Sequence, residues 1–451
     1  METISDMIKE VKDSSPNPDA CLLSFSGGKD AWCSWLAVRD HFQTVQPFAY
    51  YLVPGLETVD AYLDYCERRM GCRVVRLPSP RLLGMLRDGV FQTPRHMDVI
   101  DAAHLPELTW DDMGRMTESA AGLPANTWTA VGVRGADSIG RASAFKRQGV
   151  VNPKRRVFYP IHDWRKADVV GALKREGIKL SPEYRLFGRT FDGLYLLYAW
   201  GLKQHCPADY ARCLEWFPLM ECEVFRLERA LERYGSMDAL PRQVVQAEAG
   251  RVARESRFPN RLRARQQAES PTPDRFSDLK AQAKLTAAKM RSMTDAEFMF
   301  TLYFRDGSAL HVVFEDRAQK DFFLRQTRIF SHGDKYLDGE FVASRLGVGQ
   351  YARFNRIPRP RVPNPLAGLE TPSNPESAYR AWLEAIRAAF QAPIPLPSSD
   401  AERMAQAAGW PAEPMIWGHD VAAAAGVSLP QTSYYYRPHH RPDRALEALA
   451  T

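Results

Sequence analysis

The sequence predicts an α/β protein whose first half folds around a parallel β-sheet with helices on both faces. Strand-like and helix-like segments alternate over residues 19–79, which is the rhythm of a parallel sheet. A short apolar strand (ACLLSFS) leads through two glycines into a helix (KDAWCSWLAV). A β-branched strand over residues 127–135 and a helix over 165–177, closed by Gly177, continue the pattern.

Bulk composition sets the broad class. A chain of 451 residues is long enough for two or three domains. Its hydrophobic fraction of 45% and charged fraction of 25% are typical of a soluble globular protein. We find no apolar run long enough to span a membrane and no secretory signal, so we expect a cytoplasmic protein without membrane contact. The seven cysteines include no CxxC pair, which favours a reducing compartment over a disulfide framework.

The remaining elements follow from local periodicity. Residues 48–53 (FAYYLV) predict a second strand, 58–70 a helix and 72–78 (CRVVRLP) a third strand. Residues 196–250 have apolar side chains at helical spacing, and Pro218 is expected to open a second helix there. Two strands at 298–307 and 309–316, a helix at 318–326 and a short helix at 339–347 complete the prediction.

These shifts in composition divide the chain into four regions. The α/β domain occupies 19–195, a helical and basic region 196–292, a small α+β module 293–350, and a Pro/Arg-rich extended tail 351–451. Six arginines lie within 251–265, and four more stand among prolines at Arg353, Arg356, Arg359 and Arg361. Nucleic-acid phosphates are candidate partners for 251–265 and 353–361. A solvated helix face or linker is the alternative.

The junction between the first strand and its helix has the composition of a phosphate-binding loop. Gly27 and Gly28 permit a tight turn, and the helix that follows directs its free N–H groups at whatever the loop holds. Ser26 adds a hydroxyl, Lys29 a positive charge, and Asp30 a carboxylate for magnesium or for capping the helix. An ordinary strand-to-helix turn is the alternative.

Four segments carry a resemblance to a known family. The loop SFSGGKDA at residues 24–31 resembles the SGGxDS loop of the PP-loop ATP pyrophosphatases, in the branch with the phosphoadenylyl-sulfate (PAPS) reductases. Three later segments resemble the same family in the same order. They are PGLETVDAYLDYCERRMGCRVVRLPSP at 54–80, GVRGADSIGR at 132–141 and YPIHDWRKADVVGALKREGIKLSPEYRLFGR at 159–189.

The resemblance implies the adenine nucleotide alpha hydrolase-like fold, with a five-stranded parallel sheet. It also implies cleavage of ATP between its α and β phosphates, with Mg²⁺, to adenylylate an acceptor. The nucleotide-binding residues that it implies are Ser24, Phe25, Ser26, Gly27, Gly28, Lys29, Asp30, Gly55, Glu57, Arg134 and Arg189. The implied catalytic residues are Lys29, Asp30, Arg134 and Arg141, and Asp30 is also the candidate magnesium ligand.

The chemistry of these residues leaves alternatives open. Arg134 and Arg141 are candidate clamps for phosphate oxygens. The alternative is that they are surface arginines paired with Asp137 or Asp163. Two aromatic residues of the last motif, Trp164 and Tyr184, are better explained as packing residues than as ligand contacts.

The sequence also departs from the family pattern. Ala31 stands where the family has serine, which removes one hydroxyl. The C-terminal ECGLH segment and the cysteine pairs that resemble iron–sulfur ligands are absent, so we expect neither sulfonucleotide reduction nor an iron–sulfur cluster. The cysteines of the middle region are expected to be buried apolar residues, at Cys206, Cys213 and Cys222.

Residues 297–347 resemble segments of small bacteriophage proteins. This implies a phage-encoded chain in the host cytoplasm, whose C-terminal half docks onto another phage protein or the virion. Two alternatives to the enzyme therefore stand. One is a phage structural or interaction protein with a degenerate nucleotide site, and the other is a nucleic-acid modification or regulatory protein.

Overall fold

The computed structural model describes residues 4–188, 190, 193–194, 196–236, 239–240, 298–303, 309–329, 337–338, 362–370, 372–391, 409 and 415–431. The first half forms one sheet. Its strands are β1 Ala20–Ser24, β2 Thr44–Tyr51, β3 Val75–Pro78, β4 Thr129–Val131, β5 Val151–Asn152 and β6 Val157–Phe158. The helices around it are α1 Ile4–Asp13, α2 Lys29–Val38, α3 Glu57–Met70, α4 Pro80–Arg87, α5 Pro94–Ala103, α6 Trp110–Ala121, α7 Ile139–Gln148, α8 Lys166–Arg175 and α9 Pro182–Phe187.

The sheet is mostly parallel and has the order β3-β2-β1-β4-β6-β5. Neighbouring strands from β3 to β6 are parallel, whereas β5 pairs antiparallel with β6. The sheet has six strands instead of the expected five, because β5 forms a short antiparallel hairpin with β6 at one edge of the sheet. Two-residue strands carry too little periodicity to be recognised in a sequence.

Helices cover both faces of the sheet, as predicted. The side chains of β1 alternate between two apolar clusters, since successive residues of a strand point to opposite faces. Leu22 packs in a cluster with Leu82 and Leu83 of α4. Leu23 packs in the other cluster, with Trp32 of α2. Each such buried side chain stabilises the fold by about 1.5–3 kcal/mol.

Three helices between β3 and β4 were not predicted. Each has a side-chain N-cap, in which Ser79, Thr93 and Thr109 accept hydrogen bonds from backbone N–H groups of α4, α5 and α6. Asp112 completes a capping box with Thr109. These helices contribute side chains to the apolar cluster on one face of the sheet, so the long segment between β3 and β4 is part of the same core.

Over its described residues, 196–236 and 239–240, the middle region is mainly helical, as predicted for 196–250. It contains α10 Leu196–His205, α11 Pro207–Trp216 and α12 Met220–Tyr234. The last of these begins two residues after Pro218, which agrees with a proline that opens a helix. Residues 251–265 lie outside the described residues.

A second sheet follows, with the order β10-β8-β7-β9. Its strands are β7 Met299–Tyr303, β8 Ala309–Val313, β9 Leu337–Asp338 and β10 Met415–Trp417. The helices of this part are α13 Arg317–Gln326, α14 Pro375–Gln391 and α15 Gly418–Ala424. The predicted strands at 298–307 and 309–316 and the helix at 318–326 correspond to β7, β8 and α13. The expected helix at 339–347 lies outside the described residues.

The expectation of an extended tail from residue 351 is wrong for two stretches. Residues 375–391 form the helix α14, and residues 415–417 add a parallel strand to β8. Four side chains of α14 belong to the same apolar cluster as Leu22 of the first sheet: Tyr379, Leu383, Ile386 and Phe390. Proline-rich flanks concealed a helix whose apolar face packs against the N-terminal half.

The second sheet is also joined to the first half. Phe298, Met299 and Val313 lie in the cluster that covers the first sheet. A buried arginine of α12 links the two parts, because Arg226 donates to the carbonyl oxygen of Glu315 at 3.0 Å and pairs with Glu223 at 2.7 Å. The predicted module is therefore not a separate body among the described residues.

The side chain of Glu315 is fully buried at this joint. Its carboxylate accepts hydrogen bonds from Arg233 and Tyr234 of α12 and contacts His419 of α15 at 3.1 Å. Burial alone would raise the pKa of Glu315, but the hydrogen bond from His419 and the charges of Arg233 and His419 outweigh it and lower the pKa. The carboxylate therefore stays ionised and holds three elements together.

Replacing Ile386 by alanine tests whether α14 belongs to the N-terminal core. The Ile386 side chain is fully buried, so we expect the substitution to lower the free energy of unfolding by about 2–5 kcal/mol, measured by urea denaturation. Glu384→Ala, at an exposed position of the same helix, is the matched control and should change it by less than about 0.5 kcal/mol. Equal stability of the two variants would contradict the packing of α14 on this core.

Candidate functional site

A polar cleft of about 360 Å³ opens at the carboxyl end of the first sheet. It lies where β1 and β4 end side by side. The chain leaves β1 towards β2 on one side and later returns as β4 on the other side, so this is the switch point of the topology. Open α/β sheets bind their ligands at such points. The lining residues are Ser24, Ser26, Gly28, Lys29, Asp30, Ala31, Val131, Gly132, Arg141, Tyr184 and Thr190.

The loop between β1 and α2 has the backbone that its glycines predict. Gly27 adopts a left-handed φ of 72°, which a side chain rarely tolerates. A Cβ on Gly28 would lie 3.3 Å from both the Ser26 Oγ and the Tyr184 Oη. Gly28 therefore presents bare backbone to the cleft. Gly27 was also expected among the nucleotide-binding residues but does not line the cleft, and a Cβ there would meet the Tyr62 ring at 3.2 Å.

Phe25 does not line the cleft, although it was expected among the nucleotide-binding residues. Its side chain is 1% exposed and packs edge-on against Trp32, with ring centroids 5.2 Å apart. Because strand residues alternate between faces, Ser24 and Ser26 point towards the cleft while Phe25 points into the core. Phe25 is therefore a core residue and not part of the cleft.

The N-terminal end of α2 forms the floor of the cleft. Gly28 is the N-cap residue and provides no side-chain cap, and the first helical hydrogen bond runs from the Trp32 N–H to the Gly28 carbonyl. The N–H groups of Asp30 and Ala31 therefore have no acceptor within the helix. Ala31 lacks the serine hydroxyl of the family pattern, but its N–H remains at the site.

Tyr184 takes part in the site, whereas the sequence favoured a packing role. Its hydroxyl accepts a hydrogen bond from the backbone N–H of Lys29 at 3.1 Å, 155 residues away in the chain. Burial raises the pKa of Tyr184 to about 12, so the phenol stays protonated at neutral pH. The tyrosine therefore fixes the start of α2 and presents a hydroxyl to the cleft.

A chain of alternating charges runs along the cleft. The Lys29 Nζ lies 2.6 Å from the Asp30 carboxylate, and the Arg134 Nε lies 2.9 Å from the other oxygen of that carboxylate. Asp137 bridges the two arginines, at 2.6 Å from Arg134 and 2.6 Å from Arg141. Three cations and two carboxylates leave one net positive charge, which favours an anionic ligand.

Arg134 occupies a different place from the one expected. Its side chain is 7% exposed and does not line the cleft, because it lies behind Asp30. The Arg134 Nε and the Asp30 Oδ1 are close, but their geometry makes no hydrogen bond, and both atoms are buried without a hydrogen-bond partner. Arg134 therefore positions Asp30, while Arg141, whose side chain is 50% exposed, is the arginine that faces the cleft.

Gly55 and Glu57 lie outside the cleft, contrary to expectation. They flank the start of α3, whose N-terminal end is already capped by the buried carboxylate of Asp209 from α11. The Asp209 Oδ1 accepts from the Glu57 N–H at 2.6 Å. Asp209 also stands in the first turn of its own helix, α11, where an acidic residue is common, so its residue type carries no signal for this contact. Arg189 lies outside the described residues, as do Arg353, Arg356, Arg359 and Arg361.

The cysteines of the middle region are mostly buried. Cys213 and Cys222 are buried as predicted, and burial raises the pKa of both thiols, whereas Cys206 is half-buried. Burial also raises the pKa of Cys33, the cysteine of α2, to about 12. Thiols of this kind are not nucleophiles at neutral pH. In the described part of the chain, no group of three His, Cys, Asp or Glu side chains is arranged to hold a metal ion.

Comparison of the sequence with protein-family models gives no match, and comparison with curated proteins gives none either. The resemblance to the PP-loop family therefore rests on the four sequence segments, three of which contribute residues to the cleft. Among the helices within the described ranges, none has the length and apolar character needed to cross a bilayer.

The close approach of β4 to α2 yields a prediction about Gly132. A Cβ at this position would lie 2.6 Å from the backbone oxygen of Asp30, so one of the two elements must shift. We expect Gly132→Ala to lower the free energy of unfolding by about 1–3 kcal/mol in urea denaturation.

Gly114→Ala is the matched control for this prediction. A Cβ on Gly114, which lies within α6, meets nothing within 4 Å. Alanine is the better helix former, so this variant should be as stable as the wild type or more stable by up to about 1 kcal/mol. A Gly132→Ala variant of wild-type stability would show that β4 and α2 are not in close contact.

Proposed function

We propose that this protein binds ATP by its phosphates in the cleft and activates an acceptor by adenylylation at the α-phosphorus, releasing pyrophosphate. One observation carries the proposal. At the switch point of a parallel sheet, the uncapped N-terminal end of α2 meets a net positive set of side chains that line a cleft of about 360 Å³. Phosphate groups are the ligands that such helix ends bind in α/β proteins.

The contacts available in the cleft match a chain of phosphates. The N–H groups of Asp30 and Ala31 and the hydroxyls of Ser24 and Ser26 are donors for phosphate oxygens. Lys29 adds a positive charge that can move to a phosphate oxygen. Its partner Asp30 would still be paired with Arg134 after that movement. Stabilising the charge that develops on departing pyrophosphate is the main catalytic task in such a transfer.

Asp30 fits the role of a magnesium ligand. Magnesium in nucleotide sites is commonly held by one or two carboxylates together with the substrate phosphates. Asp30 is the carboxylate among the described lining residues, and its Oδ1 has no hydrogen-bond partner. When bound, the ion would neutralise phosphate charge. Arg134 would keep the carboxylate in place behind it.

The side chains in the cleft also restrict the acceptor. The described lining residues include no histidine, and Tyr184 stays protonated at neutral pH. Asp30 is assigned to magnesium in this proposal, so it is not available as the general base. The acceptor therefore needs an oxygen that attacks without first losing a proton. That oxygen bonds to the α-phosphorus as the bond to the β-phosphate bridge breaks.

Titration calorimetry with ATP, combined with an assay of pyrophosphate release, tests the proposal. We expect binding in the presence of magnesium and slow release of pyrophosphate and AMP when water is the only acceptor. An absence of binding at about millimolar ATP, the weak end of ordinary ligand affinities, would overturn it. Release of phosphate and ADP would overturn the site of cleavage alone.

The substitution Asp30→Asn should change the affinity for ATP differently with and without magnesium. With magnesium, Asp30→Asn should weaken ATP binding at least about tenfold, or about 1.4 kcal/mol, because a metal ligand is lost. Without magnesium the same variant should bind ATP as tightly as the wild type or more tightly, since a negative charge has been removed. Asp40→Asn, just beyond the far end of α2 and exposed, should change neither value. Equal affinities of both variants with magnesium would show that Asp30 is no magnesium ligand.

A further inference from the structure

The segment that follows the cleft carries an unusual charge. Between Ser138 and His162 the chain has no acidic residue. Six basic residues lie in this stretch: Arg141, Lys146, Arg147, Lys154, Arg155 and Arg156. The number of these residues equals the net charge of the whole chain, which is +6 from 60 lysines and arginines and 54 aspartates and glutamates. We call the surface formed by residues 139–156, which comprises α7 and the turn between β5 and β6, the basic surface.

The basic surface is not explained by packing. An ordinary surface helix buries an apolar face, whereas α7 has no buried residue at all. Its described ring contacts come from Phe145, which packs on Tyr159 at 5.0 Å and on His162 at 6.1 Å. Ile139, the first residue of the helix, is 92% exposed. The helix therefore displays its side chains to solvent on nearly every side.

The charges of the basic surface are also largely uncompensated. Of its six basic side chains, Arg141 alone has an ion pair within the described ranges, with Asp137 at 2.6 Å. Elsewhere on the domain, Arg76 shows what compensation looks like, because it is paired with Asp60, Asp64 and Glu67. Like charges placed together disfavour the compact state, so an unpaired cluster costs stability unless an anion binds there.

The basic surface begins at the cleft. Arg141 belongs to both, because it lines the cleft and stands in the first turn of α7. The backbone bond from the Gly135 N–H to the His162 carbonyl, at 2.7 Å, ties the start of this segment to its end. A polymer held along α7 therefore reaches the site of the proposed ATP chemistry without leaving the protein surface.

We propose that the basic surface binds single-stranded nucleic acid and presents it to the cleft as the adenylyl acceptor. An unprotonated oxygen of one nucleotide, on its base or its phosphate, would bond to the α-phosphorus of ATP as the bond to the departing pyrophosphate breaks. The second half of this statement rests on the proposed function. The charges are spread along a helix about 15 Å long, which suits a repeating phosphodiester chain better than one small anion. A duplex would have to open before one of its bases could enter the cleft.

Binding of a fluorescently labelled single-stranded oligonucleotide, followed by anisotropy without ATP, tests the basic surface. The test variant is Lys146→Glu/Arg147→Glu, which reverses two exposed charges on a helix without buried residues. The control variant Arg68→Glu/Lys174→Glu makes the same change in net charge at exposed positions. These positions lie near the C-terminal ends of α3 and α8, where Arg39 and Arg69 bring the ends of α2, α3 and α8 together on Glu176. Thermal unfolding checks that both variants fold.

We expect the test variant to bind the single strand at least about tenfold more weakly at about 100 mM salt, while the control binds like the wild type. The slope of log K against log salt should fall by about 1.4 when two phosphate contacts are lost. No binding by the wild type, or equal losses in both variants, would overturn the proposal. Duplex DNA or heparin bound as tightly as the single strand would overturn it as well.

Calorimetry with ATP on the same proteins separates this inference from the proposed function. Lys146 and Arg147 lie outside the cleft, so the test variant should retain its affinity for ATP. A wild type that binds ATP but no single strand would refute the basic surface alone. One that binds the single strand but not ATP would refute the proposed function and the acceptor role, and leave the binding surface standing.

Discussion

The ion pair between Asp30 and Arg134 joins the two chain segments that make the cleft. Asp30 stands in the first turn of α2, and Arg134 follows β4, so the pair links two neighbouring strand ends that are far apart in sequence. Gly132 permits this contact, because any side chain there would collide with the backbone of Asp30. The positions of Lys29 on one side and of Asp137 and Arg141 on the other all follow from it. The site is therefore a network in which no single charge can be changed without affecting its neighbours.

The two ends of the chain depend on one another. Helix α14 and the strands β7 and β8 contribute side chains to the apolar cluster on one face of the first sheet. Arg226 and Glu315 are both buried where α12 meets the second sheet, and the backbone carbonyl of Glu315 accepts a hydrogen bond from Arg226. Removing the Arg226 side chain would leave that carbonyl and the buried carboxylate of Glu223 without their guanidinium partner. The cleft thus belongs to a body larger than residues 19–195, even though all its described lining residues come from that range.

Much of the local structure could be predicted. The alternation of strands and helices, the loop at the end of β1 and the helix that opens near Pro218 are recorded in short-range periodicity and in glycine and proline positions. Other elements of the structure were not predicted, for reasons that differ from one element to the next. The strands of the β5–β6 hairpin are too short to show a period, and α14 is flanked by prolines that disguised it. The three helices before β4 passed unnoticed despite clear capping residues.

The glycine-rich loop and the helix after it could be predicted from the sequence alone, together with the serines, the lysine and the aspartate beside them. Tertiary structure decided what these groups do. It turned Phe25 into the core, placed Arg134 behind Asp30, brought Tyr184 onto the start of α2 and closed the start of α3 with Asp209. The physical reason is that backbone conformation is set by neighbours in the chain. An ion pair or a hydrogen bond depends instead on which distant segments the packing brings within about 3 Å.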